Sequence, residues 1–168
     1  PNFISEKVLA YEVGYRLHPS KQFGLSFASF YNVYDDLYSV EALTGTSTYQ
    51  VQNGTEGTSW GGEISGNLQV AEFWRLKGGY TYFKKNLQNK PGRVYDYTPL
   101  GNDAKHQVLL NSITNLPGNL QFDLSMRYMG ELPYPYIPDY FTFDARLAWI
   151  FSDWGEFSLV GQNLWQEK

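Results

Sequence analysis

The two histidines are the residues best suited to acid–base chemistry or metal binding in this sequence. Imidazole titrates near neutral pH and often ligates metals, but His18 and His106 fall in turns or strand starts far apart in the chain. They are expected to face opposite ends of the fold, so a shared metal or proton is not predicted. There is no Cys and no Gly-x-Ser-x-Gly motif, which excludes thiolate chemistry and removes the nucleophile elbow of serine hydrolases. We therefore predict neither an enzyme nor a cofactor.

Loop carboxylates are the remaining candidates for a metal site. Asp35, Asp36 and Asp96 offer the oxygen ligands that Ca²⁺ prefers. The alternative is that these are ordinary solvated carboxylates. We adopt the alternative and predict no metal site.

The charge balance argues against nucleic acid as a partner. The 168 residues include 13 Lys and Arg against 17 Asp and Glu, which gives a net charge of −4. The basic residues are scattered along the chain rather than clustered, so the electrostatic footprint of a nucleic-acid-binding surface is missing. We exclude nucleic acid as a partner.

Apolar and polar residues alternate along most of the chain, which is the pattern of β-strands. In 120–128, every second residue from Leu120 onward is apolar, and Asp123 and Arg127 lie between them. The 14 Tyr, 11 Phe and 5 Trp favour strands and membrane interfaces. The pattern predicts an all-β antiparallel meander of about eight strands. They lie near residues 9–17, 22–43, 59–70, 75–87, 105–116, 120–128, 140–149 and 156–165.

The breaks between these strands alternate in length. Short breaks fall near 18–21, 71–73, 115–119 and 152–155, whereas the stretches 88–104 and 130–139 are long and irregular. Tight turns at one end and long loops at the other are typical of outer-membrane barrels. Aromatic residues near the two ends are predicted to form two interfacial girdles. Phe23, Phe73, Trp74, Trp149, Phe151, Trp154 and Phe157 belong to the short turns, and Tyr34, Tyr38, Tyr82, Tyr128, Tyr134 and Tyr136 to the long loops.

A soluble β-sandwich or a lipocalin-like barrel would produce the same alternation, with apolar residues inside. Two features favour a membrane barrel instead. The polar faces contain small residues such as Gly14, Ser26, Gly61, Ser65 and Gly79, where a soluble surface would be rich in Lys and Glu. The aromatic residues also collect at the strand ends. We predict that the apolar stripe of each strand contacts lipid and that the polar stripe faces the interior.

A series of short motifs runs through nearly the whole chain. They are Ser5-Glu6-Lys7, Tyr11-Glu12-Val13-Gly14-Tyr15-Arg16, Phe30-Tyr31-Asn32-Val33-Tyr34-Asp35-Asp36-Leu37, Gly61-Gly62-Glu63-Ile64, Leu76-Lys77-Gly78-Gly79-Tyr80-Thr81-Tyr82, Gly101-Asn102-Asp103-Ala104-Lys105-His106-Gln107, Arg127-Tyr128-Met129-Gly130-Glu131-Leu132-Pro133, Ile137-Pro138-Asp139-Tyr140 and Leu159-Val160-Gly161-Gln162-Asn163-Leu164. In order and spacing, this series resembles the C-terminal part of the barrel of TonB-dependent outer-membrane receptors.

The resemblance implies a multi-pass protein of the bacterial outer membrane that contacts lipid and lipopolysaccharide. Such a receptor imports a scarce nutrient, for example a ferric siderophore, through a 22-stranded barrel whose plug is rearranged by the TonB protein. Residues 1–168 would then be a C-terminal part of the barrel without the plug and the closing strand, and both edges of the sheet would be unpaired. The alternative is a self-contained eight-stranded outer-membrane barrel with a structural or adhesive role, in which the first and last strands pair.

Two sets of residues are candidate functional positions. Charges on the small-residue face are predicted to line a water-filled or plugged interior, with simple solvation as the alternative. The long loops combine aromatic and hydrogen-bonding groups that can bind an amphipathic small molecule such as a metal chelate, with loop packing as the alternative. The interior set is Glu12, Arg16, Glu63, Asp123, Arg127, Asp144 and Arg146, and the loop set is Arg93, Tyr95, Asp96, Tyr97, Asn102, Asp103, Tyr134, Tyr136 and Asp139.

Overall fold

A computed structural model describes residues 3–42 and 47–165. Nearly all regular structure in them is β-strand, with one short 3-10 helix at Thr98–Gly101. In this described part of the chain, no helix is long and apolar enough to cross a bilayer. The strands are β1 (Lys7–Leu17), β2 (Phe23–Ala42), β3 (Tyr49–Ala71), β4 (Trp74–Asn89), β5 (His106–Leu116), β6 (Leu120–Met129), β7 (Leu132–Pro133), β8 (Tyr136–Ile137), β9 (Tyr140–Ser152) and β10 (Gly155–Gly161).

Eight of these strands form one antiparallel sheet in chain order, β1-β2-β3-β4-β5-β6-β9-β10. The short strands β7 and β8 make a separate two-stranded hairpin in the loop between β6 and β9. The predicted eight-stranded meander is therefore confirmed. Within the described residues β1 and β10 do not pair with each other, which contradicts the alternative of a self-contained eight-stranded barrel.

The strand register separates the side chains into two chemically distinct faces. Residues directly opposite each other on paired strands project to the same side of a sheet. The pair Leu124 and Ala145 therefore marks one face, and the pair Asp123 and Arg146 marks the other. We call them the apolar face and the polar face. The apolar face includes Val13, Tyr15, Phe27, Tyr31, Trp60, Ile64, Tyr80, Tyr82, Val108, Leu110, Phe122, Leu124, Phe141, Phe143, Leu147 and Trp149.

Burial runs opposite to that of a soluble protein. On β9, Leu147 and Trp149 of the apolar face are 44% and 52% exposed, while Ala148 between them is 1% exposed. Among the described residues, only Ala104 and Ala148 are buried hydrophobic side chains. The apolar residues therefore form no dry core, and the soluble sandwich and lipocalin-like interpretations are wrong.

The structure corrects several predicted boundaries. Strand β3 begins at Tyr49, ten residues before the predicted start at 59, because 49–58 pairs with 33–42, the upper half of β2, which is nearer the long loops. The last strand ends at Gly161 rather than 165, and β4 continues to Asn89. Residue 43, the predicted end of the second strand, lies outside the described residues.

The two ends of the sheet have connections of different length, as predicted. The short-turn end has connections of between two and five residues, and the long-loop end has the connections 90–105 and 130–139. The turn between β5 and β6 contains Gly118 and Asn119, both with positive φ (79° and 58°). Such a tight turn is compatible with glycine and asparagine and with few other residues.

Candidate functional site

All seven charges predicted to line an interior lie on the polar face, and four of them are paired. Arg127 Nη2 lies 2.7 Å from Asp144 Oδ2, and Arg146 Nη1 lies 2.9 Å from Asp123 Oδ2. Arg146 also pairs with Glu156 on β10. These contacts connect β6, β9 and β10 through charge-assisted hydrogen bonds.

The other three charges of this set are separate from that network. Arg16 Nε donates to Ser26 Oγ at 3.3 Å. Glu12 and Glu63, on β1 and β3, have no ion pair among the described residues. The structure therefore divides the predicted interior set into two ion pairs, Arg127 with Asp144 and Arg146 with Asp123, and three positions without an ion pair among the described residues.

A cavity of about 510 Å³ opens on the polar face next to the long loops. We call it the loop-end cavity. On its wall, the rings of Phe30 and Phe83 lie 6.0 Å apart, on either side of Gly61 in the register. A Cβ at Gly61 would clash with the Tyr82 carbonyl and the Phe30 ring, so glycine lets the two rings meet. The cavity is lined by Phe30, Glu63, Thr81, Phe83, Asn102, Asp103, Ala104, Gln107, Met129, Leu132, Ile137 and Tyr140.

Three residues of the predicted loop set are brought together beside this cavity. Asn102 Oδ1 accepts a hydrogen bond from the Tyr134 backbone N–H at 2.9 Å, which joins the two long loops. Asp103 lies 2.6 Å from Lys85 Nζ, and that lysine donates to the Leu100 carbonyl at 2.8 Å. The loop boundary of the cavity is thus fixed by polar contacts to both loops and to β4.

Three other residues of the loop set lie in a different place, against β2 or within their own loop. Arg93 Nη1 pairs with Glu41 Oε2 at 2.9 Å, and the Tyr95 ring contacts Tyr38 edge to face at 6.3 Å. Burial raises the pKa of the Tyr95 hydroxyl, with a smaller effect from Tyr38. The Tyr97 carbonyl accepts a backbone hydrogen bond from within its loop. These contacts anchor the loop, and none of the three residues lines the loop-end cavity.

The remaining three members of the loop set also have local roles. Asp96 Oδ1 accepts the Thr98 N–H at 3.0 Å, and hydrogen bonds from Thr98 lower the pKa of this carboxyl. Asp139 Oδ2 accepts the Tyr128 hydroxyl at 3.2 Å. Tyr136 lies in the β7–β8 hairpin and is 67% exposed. The exposed ring of Tyr136 is therefore available to a ligand, whereas both carboxylates accept hydrogen bonds from within the protein.

A charged cluster that the sequence did not reveal holds the long-loop end together. Lys90 pairs with Asp35 and, at 2.7 Å, with Asp36, which also pairs with Lys7 at 2.6 Å. Asp36 has a positive φ of 58° at an irregularity in the β2–β3 register. Hydrogen bonds to the lysines lower the pKa of both carboxyls, and the same bonds raise the pKa of Lys7 and Lys90. We call Lys7, Asp35, Asp36 and Lys90 the loop-anchoring cluster.

The sequence did contain one signal for the loop-end cavity. Phe30, Phe83 and Met129 occupy positions of the polar face where the alternation calls for polar residues. Leu109 and Ile113 are also apolar residues of the polar face but lie outside the cavity, so this signal alone does not locate the cavity. The lysine partners of the two aspartates carried no such signal, because Lys90 is 54 residues from Asp36.

The chain belongs to the family of TonB-dependent receptors. The family model described as TonB dependent receptor-like, beta-barrel, matches residues 1–164. This confirms the resemblance found in the motifs. No curated protein sequence matches the chain.

Solved structures with a similar fold are receptors and transporters. The ferric yersiniabactin uptake receptor FyuA of Yersinia pestis is 17% identical with a TM-score of 0.77, over 96% of this chain and 25% of that one. The FrpB iron transporter of Neisseria meningitidis (F5-1 variant, apoprotein) is 12% identical with a TM-score of 0.77, and the match covers 97% of this chain and 27% of FrpB. FpvA of Pseudomonas aeruginosa PAO1, bound to pyoverdine, is 18% identical with a TM-score of 0.69, and the match covers 95% of this chain and 25% of FpvA. This chain spans about a quarter of each.

Proposed function

We propose that this chain forms part of the wall of an outer-membrane receptor that imports a scarce nutrient, a ferric siderophore or similar metal chelate, by TonB-coupled transport. The apolar face contacts outer-membrane lipid and lipopolysaccharide, and the polar face lines the interior. The chain's residues have no catalytic role in this proposal. Iron or another metal is cargo, carried inside its chelator.

The loop-end cavity is the observation that carries the proposal. Its wall combines aromatic rings with amide and carboxylate groups, a mixture suited to a small molecule that has both apolar and polar surface. It lies on the face that carries the charges, next to the loops that are outermost in the proposed orientation. Family membership and the named ligands of FyuA and FpvA support a chelate as the occupant.

We further propose that residues 1–168 are a C-terminal part of a 22-stranded barrel. Two observations support this. The sheet has free edges at β1 and β10 within the described residues, and backbone groups at such edges need partners in a membrane. The chain also corresponds to about a quarter of the matched receptors.

The uptake of radiolabelled ferric siderophores by cells expressing the complete receptor tests the proposal. Gln107→Trp adds bulk to the loop-end cavity, and we expect uptake to fall by about tenfold or more because binding is lost. Leu110→Trp is the matched control, since Leu110 lies on the same strand but on the apolar face and is 41% exposed. It is expected to leave uptake unchanged.

A parallel measurement in cells without TonB tests the coupling. Uptake is expected to fall to background there, while binding of the chelate at the cell surface persists. Equal uptake with and without TonB would overturn active transport. Equal losses in both tryptophan variants would mean that the loop-end cavity is not the binding site.

A further inference from the structure

The apolar face contains a trough that the transport proposal does not use. It has a volume of about 740 Å³, and its floor consists of Ser29 and Gly62, which are directly opposite each other on β2 and β3. Large side chains surround these two small ones: Phe27 and Ile64 on one side, and Trp60 on the other. The trough is therefore a gap between bulky side chains of the apolar face.

The trough lies in the half of the apolar face nearer the long loops. A strand crosses a bilayer in about 9 to 11 residues, and β4 starts at Trp74 at the short-turn end. Lys84 is ten residues further along β4, opposite Trp60 on the apolar face. In the proposed membrane placement, Lys84 and Trp60 therefore lie at the outer boundary of the hydrocarbon, with the trough directly beneath them.

Lys84 has no ion pair or hydrogen bond among the described residues, unlike Lys85 and Lys90. A lone ammonium on a lipid-facing surface has anionic lipid headgroups as its natural partners. His106 lies opposite Tyr82, whose ring it contacts at 5.2 Å, and it is hydrogen-bonded to the Tyr80 hydroxyl through Nδ1 at 2.8 Å. This leaves Nε2 of His106 as a further polar group at the same level.

We propose that this trough binds an outer-leaflet phosphorylated lipid, with an acyl chain over Ser29 and Gly62 and a phosphate at Lys84. The inference rests on the membrane placement in the proposed function and adds a lipid site to it. Two observations specify the occupant. The gap is apolar and lies at acyl-chain depth, and the positive charge at its outer end is complementary to a phosphate.

Native mass spectrometry of the complete receptor tests the inference, after reconstitution in nanodiscs of phosphatidylcholine containing lipid A as a minor component. We expect wild type to retain lipid A. Ser29→Phe fills the floor of the trough and is expected to abolish retention. Lys84→Ala removes one cation near the surface and is expected to lower retention about fivefold.

Two variants control for general effects. Thr114→Phe introduces the same ring elsewhere on the apolar face, opposite Trp74, and Lys77→Ala removes a cation of β4 from the polar face. Both are expected to retain lipid A as wild type does. Retention of lipid A by Ser29→Phe at the wild-type level would show that the trough is not the binding site. Equal retention of lipid A and of its dephosphorylated form by wild type would show that Lys84 does not bind a phosphate.

The siderophore uptake assay separates this inference from the transport proposal. We expect Ser29→Phe to lose lipid A while it imports chelate normally, and Gln107→Trp to show the reverse. If no variant imports chelate but lipid retention follows the expected pattern, the transport proposal fails and the lipid site stands. If wild type does not insert into nanodiscs, the membrane placement fails and the lipid site with it.

Discussion

The two ends of the sheet are held together by different interactions. At the short-turn end, aromatic rings accumulate, and the ring of Phe151 lies 5.6 Å from those of Trp149 and Trp154. At the long-loop end, β2 and β3 extend to 20 and 23 residues, and the loop-anchoring cluster fixes the loops to them. In the described part of the chain, the ion pairs nearest the short turns are those of Arg146 with Glu156 and Asp123, on the polar face.

This difference follows from the surroundings proposed for each end. In the proposed placement, the half of the sheet at the short turns is a membrane belt, where lipid solvates the apolar face and ion pairs lie on the polar face. The ends of β2 and β3 nearer the long loops exceed the length that crosses a bilayer, so in the proposed placement they extend beyond it into water. There the fold depends on specific partners, since no lipid and no buried core stabilises it.

The largest expected effect comes from placing a charge on the apolar face in the belt. Leu124→Arg is expected to cost about 2 to 4 kcal/mol of unfolding free energy, because a guanidinium near the middle of the membrane is poorly solvated. Val51→Arg, at the upper end of β3 where Val51 is 39% exposed, is expected to cost about 0 to 1 kcal/mol. Urea unfolding of the complete receptor in lipid vesicles measures both. Equal costs would remove the distinction between the two regions.

A smaller effect is expected from removing an arginine of the polar face. Arg146→Met leaves Asp123 and Glu156 without their shared partner on the polar face, so the urea midpoint is expected to fall. Arg93→Met removes one pair at the more exposed long-loop end, where ion pairs contribute little, and is expected to shift the midpoint less. The reverse order would indicate that the loops, and not the polar face, depend more on their charges.

The smallest effect is a loosening of the loop at low pH. The pKa values of Asp35 and Asp36 are lowered in the folded chain, so their contribution is complete above the ordinary carboxyl range near pH 4 and is lost as the pH falls through the lowered values. Lys90, with its pKa raised, loses its contribution only at strongly alkaline pH. Amide hydrogen exchange in 90–105, corrected for the intrinsic rate at each pH, is expected to lose protection at about pH 3 relative to pH 7.

Asp36→Asn serves as the control for this pH effect. It removes one of the two carboxyls that bind Lys90, so exchange in 90–105 is expected to be faster at neutral pH and to change less on acidification. Protection in 120–128, in the belt, is expected to be the same in both proteins. Unchanged loop protection in the variant would show that these ion pairs do not hold the loop.

The sequence predicted the fold correctly wherever every second residue of a strand faces the same environment. Alternation predicted all eight strands of the sheet and the short turns, since it is a local signal that the membrane imposes on every strand. It failed for 49–58, a stretch of Gln, Asn, Thr, Glu and Gly with few apolar residues. That segment is a strand because the upper half of β2 supplies its hydrogen-bonding partner, which is long-range information.

Prediction of the candidate site was limited by the same kind of information. The loop residues Asn102 and Asp103 were identified from their chemistry and do line the loop-end cavity. Arg93 has similar chemistry, but Glu41, 52 residues away, holds it elsewhere. Residue type thus indicated what a loop could bind, while the pairing of distant segments decided which residues reach the cavity.

The tight turn at Gly118 and Asn119 constrains how members of this family can diverge. Leu116 and Leu120 are paired across it, so a single inserted residue would move Leu124 to the inside and Ser125 to the lipid, along with every other side chain of β6. An insertion in the long loop 90–105 would leave the strand registers as they are. In the proposed import role, the outer loops can therefore change in length, and with it the ligand that they contact, while the turns at the opposite end keep their length.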